Sequence, residues 1–364
     1  VQGMGHRLSL MNVIDPYTRI EADGLKVQPG NTFGLIGGDL NLVGGVVNAP
    51  GGNIEFGSVG AGTVGLQATA RGWQFNYGGA SEFRDIRLSQ AAIADASGSL
   101  GTINTQSRQL SLRDGSALFV KKRDTQPGSS IQIRATDLVE LTGASPSRFT
   151  STISLEGIGT PGQASISVDT KRLQMSAGGT IDTRNTSTNV SGSIRVNASE
   201  SITISDGTRT RSSVVTAVTL GAGRAGDVEI STSQLRLLNG GNISSGTFGQ
   251  GNAGNVTVNA DAIEIAGVLP FIASSSVLGA STFSSGNAGN ITVNTRTLSI
   301  RQNGGVVTSS FGSGSSGQLT VNASESISIS DPETASNFGS RIDSAALVPT
   351  PFLRQLFRIR EPLT

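Results

Sequence analysis

The chain has 364 residues, of which 49 are Gly, and aromatic residues make up 4%. That balance excludes the aromatic-rich single core of an ordinary globular enzyme, and the length calls for several domains or a solenoid. A formal net charge of +1 excludes a global field for nucleic acid or an anionic membrane, and a Cys count of 0 excludes disulfides and thiolate metal sites.

Absence of Cys fits a chain that crosses an oxidising compartment unfolded. No apolar run approaches the ~20 residues of a membrane-spanning helix. Val1 is not an initiator Met, so the expectation is a fragment of a longer chain.

In chain order, Val1 to His6 reads as the end of an earlier repeat unit, and Met11 to Pro16 as a loop or short strand stopped by proline. Residues 26–70 read as a dense series of short strands, punctuated by Gly37-Gly38, Gly44-Gly45 and Gly51-Gly52. Each is about five residues, an ordinary strand length. Residues 71–100 hold the single Trp, Trp73, with Phe75 and Tyr77, and alternation continues through Phe83 to Leu88 and Ala91 to Ala96.

From residue 101 a repeat can be counted. The run Gly286-Asn287-Ala288-Gly289-Asn290-Ile291-Thr292-Val293-Asn294 recurs almost unchanged from Gly251 to Asn259 and more loosely from Gly314 to Asn322. The last Gly before each alternating run falls at Gly101, Gly128, Gly162, Gly192, Gly226, Gly254, Gly289 and Gly317. Spacings alternate short and long, so the true period is a pair of units: Gly192 to Gly254 is 62 residues and Gly254 to Gly317 is 63. Units at Gly101, Gly162, Gly226 and Gly289 continue into a second strand and a turn, as in Leu235-Arg236-Leu237-Leu238-Asn239-Gly240. Units at Gly192 and Gly317 share Asn-Ala-Ser-Glu-Ser-Ile and then make a longer polar excursion. Three strands and three turns per unit make one rung of a parallel β-helix, with excursions on alternate rungs around 143–153, 205–216, 266–283 and 331–346. Val256 and Val258 would then stack on Ile291 and Val293, and those on Leu319 and Val321, because a rung buries its apolar face only against its neighbours. Asn197, Asn259, Asn294 and Asn322 share one offset from their anchor Gly and would form one column of bonded amides. About ten to twelve rungs give a rod of roughly 50–60 Å.

These three signatures together (the Gly-Asn-Ala-Gly-Asn-Ile/Val-Thr-Val-Asn run, the Asn-Ala-Ser-Glu-Ser-Ile run and the Leu-x-Leu/Ile-x-x-Gly-Gly turn) resemble the filamentous-haemagglutinin-like exoproteins of two-partner secretion, of the cyanobacterial type. Gln28 to Val59 also resembles that group's region just after the secretion domain. The resemblance covers nearly the whole chain. It implies a right-handed β-helix, an outer-membrane transporter of the partner-B kind, and a secreted, surface-adhesive role. The family's secretion domain carries Asn-Pro-Asn-Gly, which this chain lacks. The expectation is therefore a chain that starts downstream, reaching the transporter through a missing secretion domain. Residues 1–100 would be N-terminal rungs, 101–346 the repeat with a two-rung period, and 347–364 a C-terminal excursion or truncated rung. Within that last stretch, Phe352, Leu356 and Ile359 sit at helical spacing.

No catalytic, cofactor-binding or metal-ligating residue is expected. The lone His6 cannot make a histidine metal site or a Ser/His/Asp triad and reads as a loop residue. Charges that could serve a β-helix polysaccharide lyase or hydrolase are scattered: Asp85 and Arg87, Asp95, Arg113 and Asp114, Asp182 and Arg184. Gly37-Gly38-Asp39-Leu40 lacks the nine-residue recurrence of a Ca²⁺-binding repeat, and Lys121-Lys122-Arg123 reads as a solvated loop. The reading is a secreted, non-catalytic adhesin stalk whose excursions meet a cell-surface glycan or protein. The alternative is a carbohydrate-active enzyme on the same scaffold, and converging carboxylates would distinguish it.

Overall fold

A computed structural model describes residues 1–6, 24–70, 72–122, 128–157, 164–331 and 339–347. The expectations for Met11 to Pro16, Gly162, Arg123 and the stretch from residue 348 onward lie outside the described residues, as do residues 332–338 of the last excursion. The described chain is an all-β parallel solenoid. One parallel sheet has 11 strands and forms the third face of the rungs. At ~4.8 Å per strand, the stack is roughly 50 Å long.

The other two faces are built by long strands that bend. Thr102–Arg113 and Ser165–Ser176 each run along the first face, shift register at a corner and continue along the second. The three strands expected per rung are thus two pieces of backbone, because a bulge rather than a Gly turn makes the first corner. The corner between second and third faces alternates. On one set of rungs it is a tight turn with a left-handed residue pair, such as Asp114-Gly115, Ala177-Gly178 and Asn239-Gly240. On the other set, the chain leaves the second face at Thr142, Ser205 and Ala266 and rejoins the third at Thr152, Val214 and Val277. These are the expected excursions.

Alternation explains the core. Val228, Val256 and Ile291 are in register in successive rungs, and Leu319 follows Ile291. Val256, Val258, Ile291 and Val293 are fully buried, while Leu319 and Val321 pack on the core from the last rung. Each full burial of such a side chain stabilises by ~1.5–3 kcal/mol.

The repeated run is a set of stacking contacts. A Cβ built on Gly226, Gly254, Gly289 or Gly317 would overlap the carbonyl oxygen of the equivalent Gly one rung earlier. In a second column, Gly251, Gly286 and Gly314 are packed in the same way, and Gly223 at its start lies against Asn189 O. The Asn residues between them bond forward. Asn287 N donates to Asn252 Oδ1 at 2.8 Å, and Ser315 N donates to Asn287 Oδ1 at 2.9 Å. Asn290 N and Gln318 N do the same with Asn255 and Asn290. The expected amide column is present on the first face. Asn294 Nδ2 donates to Asn259 Oδ1, and Asn322 Nδ2 to Asn294 Oδ1, each at 2.8 Å. Ser231 stands between Asn197 and Asn259, so Asn197 instead reaches Asp169 Oδ1 at 3.4 Å.

Two features depart from the short-strand reading of residues 26–100. Asn53–Thr69 is one 17-residue strand, and its second half pairs antiparallel with Gly72–Phe83. This hairpin leaves the rung and lies over the first face. His6, expected in a loop, is buried, with its ring edge-on to Phe149 at 4.8 Å and its Nε2 at 2.7 Å from Gly115 O. Val1 to His6 runs beside Val43 and Gly44 as part of an extra rung.

Two predictions follow from these contacts. Gly289→Ala should lower stability by about 1–3 kcal/mol, since the new methyl strikes backbone. Gly246→Ala, whose Cβ would meet only Ser281 O at 3.6 Å, should change it by less than about 0.5 kcal/mol. Thermal and urea unfolding of the two variants checks the contrast. The second concerns His6. Burial lowers its pKa to about 4, the bond to Gly115 opposing, whereas the undocked side chain titrates near 6.5. Above 6.5 neither form is charged. Between 6.5 and 4 only the undocked form takes the proton, so docking weakens as pH falls, by about 1.4 kcal/mol per pH unit. Hydrogen exchange at His6 should lose protection across that window, and His6→Gln should flatten the dependence.

Candidate functional site

The outward amides and ion pairs of the regular rungs bond one another along the stack, and the concave surfaces lie where a rung departs from the repeat. On the third face the excursions at 205–216 and 266–283 stand over one another. Ser212 Oγ donates to Ser274 Oγ at 3.1 Å, and the second excursion is closed by antiparallel Val268–Leu269 and Ser274–Ser275 around a short 3-10 turn, Pro270–Ile272. They form a ridge along one edge of the sheet's outer surface.

Beside the ridge is a groove of about 520 Å³. Its floor is the outward row Val214, Thr216 and Val218, then Asn242, Ser244 and Gly246, then Val277, Gly279 and Ser281. Gly246 and Gly279 lie inside strands and give no side chain, which hollows the floor. Arg211 and Ile272 form the ridge wall. Phe248 and Phe283 close the far side and belong to a stack with Phe311, with ring centroids 4.6 and 4.9 Å apart and nearly parallel planes. The stack repeats because each Phe follows the last residue of its third-face strand, in Thr247-Phe248, Thr282-Phe283 and Ser310-Phe311. That shared offset was in the sequence and was missed.

Two groups in the groove stand out. Arg211 Nη1 and Asn242 Oδ1 are buried with no hydrogen-bond partner among the described residues. Leaving such groups unmade costs about 1–3 kcal/mol each. One is a donor and the other an acceptor, beside an aromatic wall. Chemically the groove suits a largely apolar ligand body lying against the aromatic wall.

The scattered charges stay apart. Asp85 is held by Arg87 at 2.5 Å and Arg108 at 2.8 Å, and its backbone N donates to Asp39 Oδ1. Asp95 accepts from Ser97 N, and Asp114 is the left-handed residue of a turn. Arg113 pairs with Glu140 at 2.7 Å. Gln109 and Arg172 hold the Asp137 carboxyl below the usual range. Burial acts to raise Glu264, but hydrogen bonds from Arg301 and Arg236 outweigh it and the net shift is downward.

Asp182 and Arg184 form a buried pair on the third face, with Arg184 at the end of the groove. Beside them Glu156, which the sequence did not single out, is paired with Lys121 at 3.3 Å. Glu156 and Asp182 are therefore on adjacent strands, with Glu156 in register between Lys121 and Arg184. Among the described residues no three His, Asp or Glu side chains gather in a metal-binding group.

Residues 8–109 match the family model of the TPS secretion domain. No curated protein and no solved structure matches the chain. The secretion-domain match overturns the expectation that this domain is missing. No boundary was visible because the described part of residues 8–109 joins the same sheets as the later rungs. The absent Asn-Pro-Asn-Gly was therefore not evidence that the domain was absent.

Substituting Phe283 should report on the groove wall. Phe283→Ala removes the middle ring of the stack and is expected to cost about 3 kcal/mol or less, since the ring is half-buried at a corner. Chemical denaturation measures it, with Phe311→Ala costing less because that ring has one neighbour in the stack.

Proposed function

Starting from a two-partner secretion exoprotein of the filamentous-haemagglutinin type, which the secretion-domain match and the β-helix support, we propose a non-catalytic adhesin stalk exported through an outer-membrane transporter and displayed at the bacterial surface. The secretion domain implies the transporter and the export. Residues 101–346 would be the stalk proper, and the third-face groove its contact surface. One observation carries this reading. The excursions wall a groove whose floor is hollowed at Gly246 and Gly279 and whose far side is an aromatic stack, a concavity set into an otherwise regular face.

Length and display are the mechanism. A rod of stacked rungs holds the groove at a fixed height and orientation, and many copies on one surface would add weak contacts. The enzyme alternative would have to use Glu156 and Asp182. In register Glu156 faces Arg184 and Asp182 faces Ser154, so the two carboxylates are not directly opposed. Beads coated with the purified chain should bind target cells, and the double substitution Arg211→Ala with Phe283→Ala should cut binding at least tenfold while the far-ultraviolet circular dichroism is unchanged. Retained binding in the double variant, or release of reducing sugar ends from offered polysaccharides, would overturn the reading.

A further inference from the structure

The hairpin Asn53–Thr69 and Gly72–Phe83 lies over the outer surface of the first face, and a cleft of about 420 Å³ runs beneath it. It lies flat because the positions below are Gly. A side chain at Gly34 would strike the Phe75 ring, and one at Gly57 would strike the Tyr77 hydroxyl. On the opposite wall the outward rows of successive rungs supply Asn53 and Glu55, then Asn104 and Gln106, then Gln132 and Arg134.

The base of the cleft is a locked network. Tyr77 Oη donates to Glu55 Oε1 at 2.8 Å, and Asn104 Nδ2 donates to Glu55 Oε2 and to Asn53 Oδ1, each at 3.1 Å. Thr102 Oγ1 donates to Asn53 Oδ1 at 2.8 Å. Burial raises the Glu55 carboxyl above its ordinary range, with the bonds from Tyr77 and Asn104 opposing. The rim is different. Trp73 is 51% exposed, although its backbone N is tied to Thr32 Oγ1 at 3.1 Å, so a fixed strand presents the indole to solvent. Arg134 makes one long contact, to Gln132 Oε1 at 3.4 Å, which leaves most of its five N–H donors for another molecule.

We propose that this cleft binds an oligosaccharide, with Trp73 as the stacking platform and Gln74, Gln106, Gln132 and Arg134 as its hydrogen-bonding walls. The chemistry selects the class. Polar surface outweighs apolar in the lining, which disfavours an acyl chain or an apolar peptide face. Among the described residues of the lining, one Arg beside a carboxylate is too little positive charge for a polyphosphate or nucleic acid. Planar amides and a guanidinium facing an exposed indole match a ring that is apolar on its faces and hydroxylated around its edge. Glu55 is the one carboxylate in the lining, and glycoside cleavage ordinarily needs two, so the cleft binds rather than cuts. The cleft lies on a different face from the third-face groove, and the proposal does not depend on adhesion through that groove.

The chain contains a single Trp, so its emission reports on this cleft alone. The test titrates the full chain with cellohexaose, chitohexaose, maltohexaose and a mannuronate hexamer. At least one should give a saturable change in Trp73 emission. For that sugar, Arg134→Ala and Gln132→Ala should each raise Kd about tenfold or more. Trp73→Phe, followed by calorimetry with circular dichroism as the folding control, should weaken binding by a similar factor. Absence of a saturable change with all four sugars, or an unaltered Kd in Arg134→Ala, overturns the proposal.

Discussion

Everything in this molecule depends on how closely one rung approaches the next at the corner between third and first faces. There the backbone of each rung rests on the carbonyl oxygens of the rung before it, and Gly is required because a Cβ would occupy the same space. The close approach brings Asn side chains within reach of the next rung's N–H groups. That fixes register, and register puts Val256, Ile291 and Leu319 in one column. A slip of one residue would turn each of these outward. The repeated motif is thus a spacing device, and its apolar residues are useful only because its glycines set them.

The same economy decides where function can reside. Backbone groups pair along the stack, the first-face amides bond one another, and the arginines of the second face hold carboxylates. The concave surfaces are found where the repeat is broken. Gly246 and Gly279 hollow the third face, the excursions wall it, and the hairpin roofs part of the first face. Regular rungs supply stiffness, and irregular segments supply concavity.

Legibility in the sequence followed this division. The β-helix, the two-rung period, the position of the excursions and the inward column were readable, because each depends on residue type at a fixed offset. The amide column was readable too, though not its interruption at Ser231. The hairpin was not, because alternation has the same period in parallel and antiparallel strands, and nothing in Thr63 to Leu66 says which partner it takes. His6 was misread for a related reason. Its burial comes from Phe149, which reaches it from an excursion far along the chain. The pair of Glu156 and Asp182 was half seen, since adjacency across rungs requires a register that only the structure provides. The unpartnered Arg211 and Asn242 carried no sequence signal at all.

The central claim is that the glycine-set register holds throughout the repeat. The chain has no Cys, so a disulfide formed by an introduced pair is unambiguous. Asn259 and Asn294 are in direct register, with Cα atoms about 4.8 Å apart, whereas Asn259 and Thr292 are offset by two residues and about 8 Å apart. Disulfides do not close beyond about 7 Å. Under mild oxidation, the double variant Asn259→Cys with Asn294→Cys should therefore cross-link within the monomer, and Asn259→Cys with Thr292→Cys should not. The reverse pattern would contradict the account.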